Sequence, residues 1–216
     1  QYATYDDTPV LNAADSTRVQ EVLCTFLYYA RAVDNTMLAA IGSIATLQAS
    51  ASKATMKVIT KLLNYCATHP SAVVRFYASG MCLKIENDAS YLSETKARSR
   101  AAGYHYLSDH PDDPTKPPHP DDPPFTPNGP INVISNIMRE VLSSASEAEL
   151  AALFHNGKEG ASERITLQEL GHPQPPTPLV TDNSTASGIA NDTVKQKRSK
   201  AMDMRFYWIR DRVRQG

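Results

Sequence analysis

The spacing of apolar residues changes near residue 70, and this change constrains the fold more than any other feature. Before it, apolar residues recur at three- and four-residue intervals, which is typical of amphipathic helices. Ser16 is predicted to begin the first helix, Asp34 to cap the second, and Ser52 to precede the third. The third helix is predicted to end before His69-Pro70. Three such helices predict a small helical lobe over residues 1–72.

From residue 73 onward, strand patterns and helix patterns alternate. Five segments have the apolar alternation or apolar runs of strands: 73–77, 81–86, 103–107, 131–138 and 179–182. A long helix is predicted from Ser146 to a Gly171 C-cap, and a second after a cap at Asn183 or Ser184. A last helix is predicted from about Arg198. This order predicts an α/β domain over residues 73–216, with a mixed sheet and a crossover helix.

A proline-rich segment interrupts this domain. Nine of the fifteen prolines lie in residues 111–130, and proline at this density neither continues a helix nor joins a sheet ladder. We therefore predict an exposed loop insertion over residues 109–130. His105, His110 and His119 raise a metal site as an alternative. The loop interpretation is preferred, because a long loop does not hold ligands in fixed positions.

Composition excludes several classes of protein. Three cysteines, Cys24, Cys66 and Cys82, are far apart, which argues against a disulfide scaffold and favours a reducing, cytoplasmic or nuclear compartment. No apolar stretch approaches the roughly 18 residues of a membrane helix, so no membrane partner is expected. Residues 195–216 hold eight basic and two acidic side chains in a chain of net charge −1. That excess favours phosphate binding, with a solvated helix face as the alternative.

Three acidic residues are placed near one another by the predicted topology. A strand–helix–strand unit lays its two strands parallel in one sheet, which puts Asp88 and Asp182 near neighbouring strand ends. Glu149 lies in the first turns of the intervening helix. Converging carboxylates repel one another unless divalent cations compensate, and Mg²⁺ prefers such oxygen ligands. The arrangement predicts a metal site, with helix capping as the ordinary alternative for Asp182.

Short segments along the chain resemble, in order, those of copia-type retrotransposon reverse transcriptase polyproteins. Asn87-Asp88-Ala89 resembles the family's Ser-Asp-Ala motif on the first RNase H strand. Residues 141–150 resemble its Ala-Leu-Ser-Ser-Thr-Glu-Ala-Glu-Tyr segment, with one additional residue before Glu147. Residues 99–104 resemble the family's Ser-Thr-Ser-Gly-Tyr strand, residues 181–183 its Asp-Asn pair, and residues 198–210 its Arg-Thr-Lys-His-Ile-Asp helix. Residues 22–30 and 59–65 resemble segments of the helical region that precedes RNase H in the family.

The resemblance implies an RNase H-like domain that hydrolyses the RNA strand of RNA–DNA hybrids with two Mg²⁺ ions, for which Mn²⁺ substitutes. It implies that Asp88, Glu149 and Asp182 are the catalytic, metal-binding residues, with Asp88 shared by both ions. It also implies a thumb- or connection-like role for the lobe, within a longer polyprotein whose polymerase is a partner. The candidate contacts to nucleic acid are Ser146, Asn183, Lys195, Lys197, Arg198 and Lys200.

One departure from the family pattern bears on activity. The family continues past the segment matched by 198–210 into a last strand and helix, which carry a fourth catalytic aspartate, whereas this sequence ends at Gly216. Asp203 does not match that aspartate and is interpreted as a solvated helix residue. We expect a fold without that strand and helix, and an exposed sheet edge that favours self-association. The alternative function is a non-catalytic module that binds hybrid or supports the polymerase.

Overall fold

The computed structural model of the chain describes residues 6–94, 96–109, 127–194 and 203–215. Its helices are α1 (Ala13–Ala32), α2 (Leu38–Ala45), α3 (Lys53–Thr68), α4 (Ala145–Glu169), α5 (Ser184–Ala190) and α6 (Asp203–Gln215), with 3₁₀ turns at Asn35–Met37 and Gln48–Ser50. Its strands are β1 (Cys82–Glu94), β2 (Arg98–Ser108), β3 (Pro130–Ile137) and β4 (Leu179–Val180). None of the described helices is both long and apolar enough to cross a membrane. Outside the described residues lie most of the predicted loop insertion, with His110 and His119, and the basic residues Lys195, Lys197, Arg198 and Lys200.

Contacts between residues divide the chain into two units. The first comprises Gln1–Val74, Leu92–Arg98 and Ser135–Arg139, and the second comprises Arg75–Tyr91, Ser99–Ile134 and Glu140–Gly216. The first unit contains α1 to α3, and the second contains most of the sheet together with α4 to α6. The domain boundary between residues 72 and 73 stays a prediction.

Side-chain caps define where the helices of the first unit begin. Asn12 caps α1, so this helix starts three residues before the predicted Ser16. Asp34 caps the 3₁₀ turn that leads into α2, and Ser52 caps α3 in a reciprocal pair with Thr55. The cap at Asp34 and the start of α3 directly after Ser52 confirm the sequence predictions. The apolar faces of the three helices supply the buried residues Val19, Leu23, Ile41, Ile44 and Ile59.

Four strands form a mixed sheet in the order β3-β2-β1-β4. β1 and β4 pair in parallel, with Ile85 opposite Leu179 and Glu86 opposite Val180, and α4 lies between them in the chain. This pairing confirms the α/β class and the predicted strand–helix–strand arrangement. The prediction that Asp88 stands at a strand end is wrong. β1 and β2 form a hairpin with a short connection, and this hairpin extends β1 past Asp88 to residue 94.

Residues 73–77, predicted to form a strand, do not form one. The Tyr77 amide donates to the side-chain oxygen of Asn128 at 2.7 Å, and the Arg75 carbonyl accepts from the Gly129 amide at 2.8 Å. A side chain therefore takes the place of one backbone partner that a ladder would need. Phe76 and Tyr77 are both exposed, so the apolar alternation in this segment does not produce a buried face.

α4 is packed on two sides, which fixes its position on the sheet. Towards the sheet, Gly160 lies so close to Ile85 that a methyl group on it would be 2.5 Å from the Ile85 Cδ1 atom. Leu83, Ile85 and Leu167 form the apolar cluster at this interface. On its other side, α4 joins α5 and α6 in a second cluster of Leu150, Leu153, Ala186, Ile189, Ala190 and Ile209.

The segment before β4 is held by two side chains. Gln174 takes the place of a strand neighbour beside β1: its side-chain oxygen accepts from the Leu83 amide at 3.0 Å, and its nitrogen donates to the Met81 carbonyl at 2.8 Å. Arg164 of α4 donates to the Pro175 carbonyl and, at 2.9 Å, to the Thr177 hydroxyl. The position of β4 thus depends on α4 as well as on β1.

Candidate metal centre

Asp88, Glu149 and Asp182 come from three elements that the parallel strand pair brings together. Asp88 lies on β1, and continuing the β1–β4 register two residues past Val180 aligns it with Asp182. Glu149 lies four residues after the start of α4, whose N-terminus is capped by Ser144. Three residues that are distant in the sequence therefore meet at one place.

The spacing of these carboxylates fits divalent cations. One oxygen from each residue lies within 4.8 Å of the other two, with Glu149 buried and both aspartates exposed. Oxygen ligands of one Mg²⁺ ion lie about 2.1 Å from it, and therefore at most about 4.2 Å from one another. Because both aspartates are exposed, small movements of their side chains can bring the oxygens to such spacing. The triad therefore has the donor type and geometry to hold a metal ion, while its catalytic role stays a prediction.

Glu149 is oriented by residues that neighbour the two aspartates in the chain. Only 6% of its surface is exposed. Its Oε1 atom accepts from the Ala89 amide at 3.1 Å, and its Oε2 atom accepts from the Asn87 side chain and the Thr181 hydroxyl, each at 3.4 Å. Sequence reasoning does not identify Asn87 or Thr181 as site residues. Their positions directly before Asp88 and Asp182 are the sequence feature that could have identified them.

The surroundings of Glu149 make its charged form costly in the absence of a metal. Burial raises the pKa of Glu149 above its ordinary value, because the carboxylate loses hydration. The negative charge of Asp88, and then that of Asp182, raise this pKa further, whereas hydrogen bonds from Ala89 and Thr181 oppose the rise. A divalent cation among the three carboxylates favours the ionised form instead. Metal binding and proton binding at Glu149 therefore compete.

We expect the Mg²⁺ affinity of the chain to fall as the pH is lowered. Protonation removes Glu149 as a ligand, and its raised pKa places this loss at a higher pH than for an ordinary glutamate. Isothermal titration calorimetry at a series of acidic pH values measures the affinity, and buffers of different ionisation enthalpy report the protons released. An affinity that stays constant between about pH 4 and about pH 7 would contradict the assignment of Glu149 as a ligand.

The other predicted site residues that the structure describes lie outside the triad. Asn183 caps α5, with its side-chain oxygen accepting from the Ala186 amide at 3.0 Å, so the capping alternative for Asp182 is wrong. Ser146 lies half-buried in the first turn of α4. His105 was considered above, with the loop histidines, as a candidate metal ligand. It is not a member of the triad and lies fully buried in β2. Its ring nitrogens face Glu163 and Asn156 of α4 and not the carboxylates of the triad.

Among curated proteins, the chain is similar to the retrovirus-related Pol polyprotein from transposon TNT 1-94 of Nicotiana tabacum, with 24% identity over 174 residues. The match covers 81% of this chain and 12% of that relative, so the chain spans a small part of its length. No protein-family model matches the chain, and no solved structure gives a significant match. The similarity supports the prediction that the chain is part of a retrotransposon Pol polyprotein.

Proposed function

We propose that the chain is the RNase H-like part of a retrotransposon Pol polyprotein and hydrolyses the RNA strand of RNA–DNA hybrids with the help of divalent cations. The observation that carries this proposal is the meeting of Asp88, Glu149 and Asp182. A buried carboxylate beside two exposed ones is costly without compensating charge, which Mg²⁺ or Mn²⁺ provides. The mixed sheet with α4 packed on it is compatible with an RNase H-like fold.

Each carboxylate has a distinct role in this proposal. Glu149 is fixed by three hydrogen bonds and presents a rigid ligand from inside the protein. Asp88 and Asp182 are exposed, so their oxygens remain accessible to ions that also contact a phosphate. Asp88 is assigned as the residue shared by two ions, in keeping with the family resemblance. Bound Mg²⁺ would supply an activated water and stabilise the leaving oxygen of the phosphodiester.

The choice of an RNA–DNA hybrid rests on the resemblance to copia-type polyproteins and on the similarity to the tobacco Pol polyprotein. Selection of the RNA strand requires contacts with 2′-hydroxyl groups. Ser146 is a candidate for such a contact from α4, and Asn183 from the start of α5, where its side-chain oxygen already serves as the cap. The proposed phosphate contacts, which make binding salt-dependent, are Lys195, Lys197, Arg198 and Lys200. The proposed protein partners are the polymerase of the same polyprotein and a second copy of the chain.

Incubation of the chain with a labelled RNA–DNA hybrid and Mg²⁺ or Mn²⁺ tests the proposal. We expect cleavage of the RNA strand, no cleavage with EDTA, and no cleavage of RNA or DNA duplexes. Asp88→Asn should lower the rate by about 10³-fold, because the metal supplies several kcal/mol and each 1.4 kcal/mol is roughly tenfold in rate. Equal cleavage by both proteins would assign the activity to a contaminant or show that the site is misassigned.

The same preparation distinguishes the alternative of a non-catalytic module. Fluorescence anisotropy with a labelled hybrid measures binding, and gel analysis of the same mixture measures cleavage. Hybrid binding without cleavage in either metal would favour the module that supports a polymerase. Absence of both binding and cleavage would overturn both functions.

A further inference from the structure

A row of polar side chains lies between the sheet and α4, buried at its first three members and half-buried at its last two, and we call it the amide–histidine chain. Its members are Asn87, Asn156, His105, Glu163 and Asn132. It begins at the candidate metal centre, where Asn87 Nδ2 donates to Glu149 and Asn156 Nδ2 donates to Asn87 Oδ1 at 2.6 Å. It continues from Asn156 Oδ1 to His105 Nε2 at 2.9 Å, and from His105 Nδ1 to Glu163 at 2.6 Å. Hydrogen bonds thus connect a candidate metal ligand to a buried histidine on another strand.

Asn156 fixes the direction of these hydrogen bonds. Its Nδ2 atom lies 2.9 Å from the Ala102 carbonyl and 2.9 Å from the Ala152 carbonyl. Both carbonyls are acceptors only, so the atom facing them must be the amide nitrogen. The Asn156 oxygen then faces His105, whose Nε2 atom must carry a proton to donate. On the other side Asn87 accepts from Asn156, which leaves the Asn87 amide nitrogen to donate to Glu149.

Both ring nitrogens of His105 therefore face acceptors. Nε2 faces the Asn156 oxygen and Nδ1 faces the Glu163 carboxylate, so a doubly protonated imidazolium satisfies both. The charged groups that act on the ring are Glu163 and Glu159 of α4, while β1 and β3 contribute neutral amides to the chain. Burial opposes the charged ring, but the hydrogen bonds to Glu163 and Asn156 and the two negative charges outweigh it and raise the pKa of His105.

We propose that Asn87, Asn156 and His105 are positioning residues for Glu149, and that deprotonation of His105 weakens divalent-cation binding at the triad. A neutral imidazole has one N–H, and the Glu163 carboxylate, 2.6 Å from Nδ1, is a stronger acceptor than the Asn156 amide oxygen. The remaining proton therefore stays on Nδ1, and the hydrogen bond from Nε2 to Asn156 is lost. Rotation of the Asn156 amide to restore that bond would turn its N–H groups away from two backbone carbonyls and from Asn87. The Asn87 amide would then no longer be held against Glu149. This inference rests on the metal centre of the proposed function and not on hydrolysis of a substrate.

The test is the Mg²⁺ affinity of the full chain as a function of pH, measured by calorimetry beside ¹⁵N NMR of the histidine rings. The affinity should be highest below the pH at which His105 titrates and should fall as the pH rises through it. We expect a loss of about tenfold, which is typical of a disrupted partner behind a metal ligand. This loss on raising the pH through the titration of His105, called the alkaline loss below, is separate from the loss in acid caused by protonation of Glu149.

Two variants separate positioning from a purely structural role. His105→Gln has no titrating ring, so the alkaline loss should disappear. Asn156→Ala keeps a titrating His105 but interrupts the chain, so NMR should still show the titration while the Mg²⁺ affinity no longer follows it. Leu167→Ala is the matched control, because this buried residue of the same helix packs against Leu83 and Ile85. It should lower stability and keep the alkaline loss.

The outcomes distinguish this inference from the proposed function. An alkaline loss that persists in His105→Gln or in Asn156→Ala, or that is absent from the wild type, would overturn the inference. Mg²⁺ binding without hybrid cleavage would overturn the proposed hydrolysis alone, because the inference concerns cation binding. Cleavage by a chain whose Mg²⁺ affinity does not change as His105 titrates would overturn the inference alone. A chain that binds no Mg²⁺ at all would overturn both.

Discussion

Glu149→Gln is expected to abolish Mg²⁺ binding and lower hybrid cleavage by about 10³-fold, while raising the stability of the metal-free chain by about 1 kcal/mol. Glutamine keeps the shape of the side chain and can still accept from the Ala89 amide, and it removes the buried charge that Asp88 and Asp182 repel. Its amide nitrogen replaces only the oxygen whose two hydrogen bonds are long, at 3.4 Å each. Because folding raises the pKa of Glu149, its ionised form lowers the stability of the folded chain at pH values above that pKa. This loss of stability disappears as the pH falls through the pKa and the carboxylate is protonated. The variant's gain in stability should therefore be present at neutral pH and vanish in acid.

Urea unfolding in EDTA at neutral and acidic pH measures the stability, and calorimetry measures Mg²⁺ binding. Glu147→Gln is the matched control, because Glu147 lies in the same helix and its carboxylate accepts from the Ser143 amide at 2.7 Å and from the Ser143 hydroxyl at 2.8 Å. This control should bind Mg²⁺ like the wild type. A Glu149→Gln chain that binds Mg²⁺ normally, or that is less stable than the wild type at neutral pH, would contradict the assignment.

Gly103→Ala is expected to destabilise the chain by about 3 kcal/mol, the upper end of the cost of overpacking a core. A Cβ atom on Gly103 would lie 1.7 Å from the Asn156 side-chain oxygen and 2.7 Å from its Cγ atom. Asn156 is completely buried and is held by several hydrogen bonds. It therefore cannot move aside without losing the bond to His105 or those to the backbone. Urea unfolding of both proteins measures the difference.

Gly157→Ala is the control for this prediction, because it changes the residue directly after Asn156. A Cβ atom there meets its nearest neighbours, in Leu179 and Trp208, at 3.4 and 3.5 Å, which is ordinary contact. Alanine also favours a helix over glycine by up to about 1 kcal/mol, so this variant should be as stable as the wild type or more so. In an Asn156→Ala background, Gly103→Ala should cost clearly less. Equal costs in both backgrounds would show that Asn156 is not the residue that Gly103 accommodates.

Much of the fold is predictable from sequence, because apolar periodicity and capping residues are local signals. Asp34 and Asn183 act as caps where the sequence predicts them, and α3 begins directly after Ser52 as predicted. The parallel pairing of β1 with β4, which brings Asp88 and Asp182 near each other, is also predictable, because a helix between two strands of one sheet favours their parallel arrangement. The three carboxylates of the candidate site follow from this topology and from the family resemblance.

The errors occur where tertiary contacts outweigh local pattern. Residues 73–77 alternate like a strand, but their backbone bonds to an asparagine side chain and their apolar side chains stay exposed. β1 continues past Asp88 because its hairpin partner extends the ladder, which no residue near Asp88 signals. The sequence around the members of the amide–histidine chain does not indicate which residues they bond to. Their hydrogen bonds join positions up to 69 residues apart, which spacing along the chain does not reveal.

Glu149 and Asp182 are both tied to α4, although only the first belongs to it. Glu149 lies near the beginning of this 25-residue helix. Towards the other end, Arg164 donates hydrogen bonds to the segment that leads into β4 and on to Asp182. The helix therefore helps to set the distance between the carboxylates of Glu149 and Asp182. An insertion or deletion in residues 170–178 would slide Asp182 along β1 without touching any acidic residue of the triad. Residues 170–178 carry no ligand, but their number must stay constant for the candidate metal centre to form.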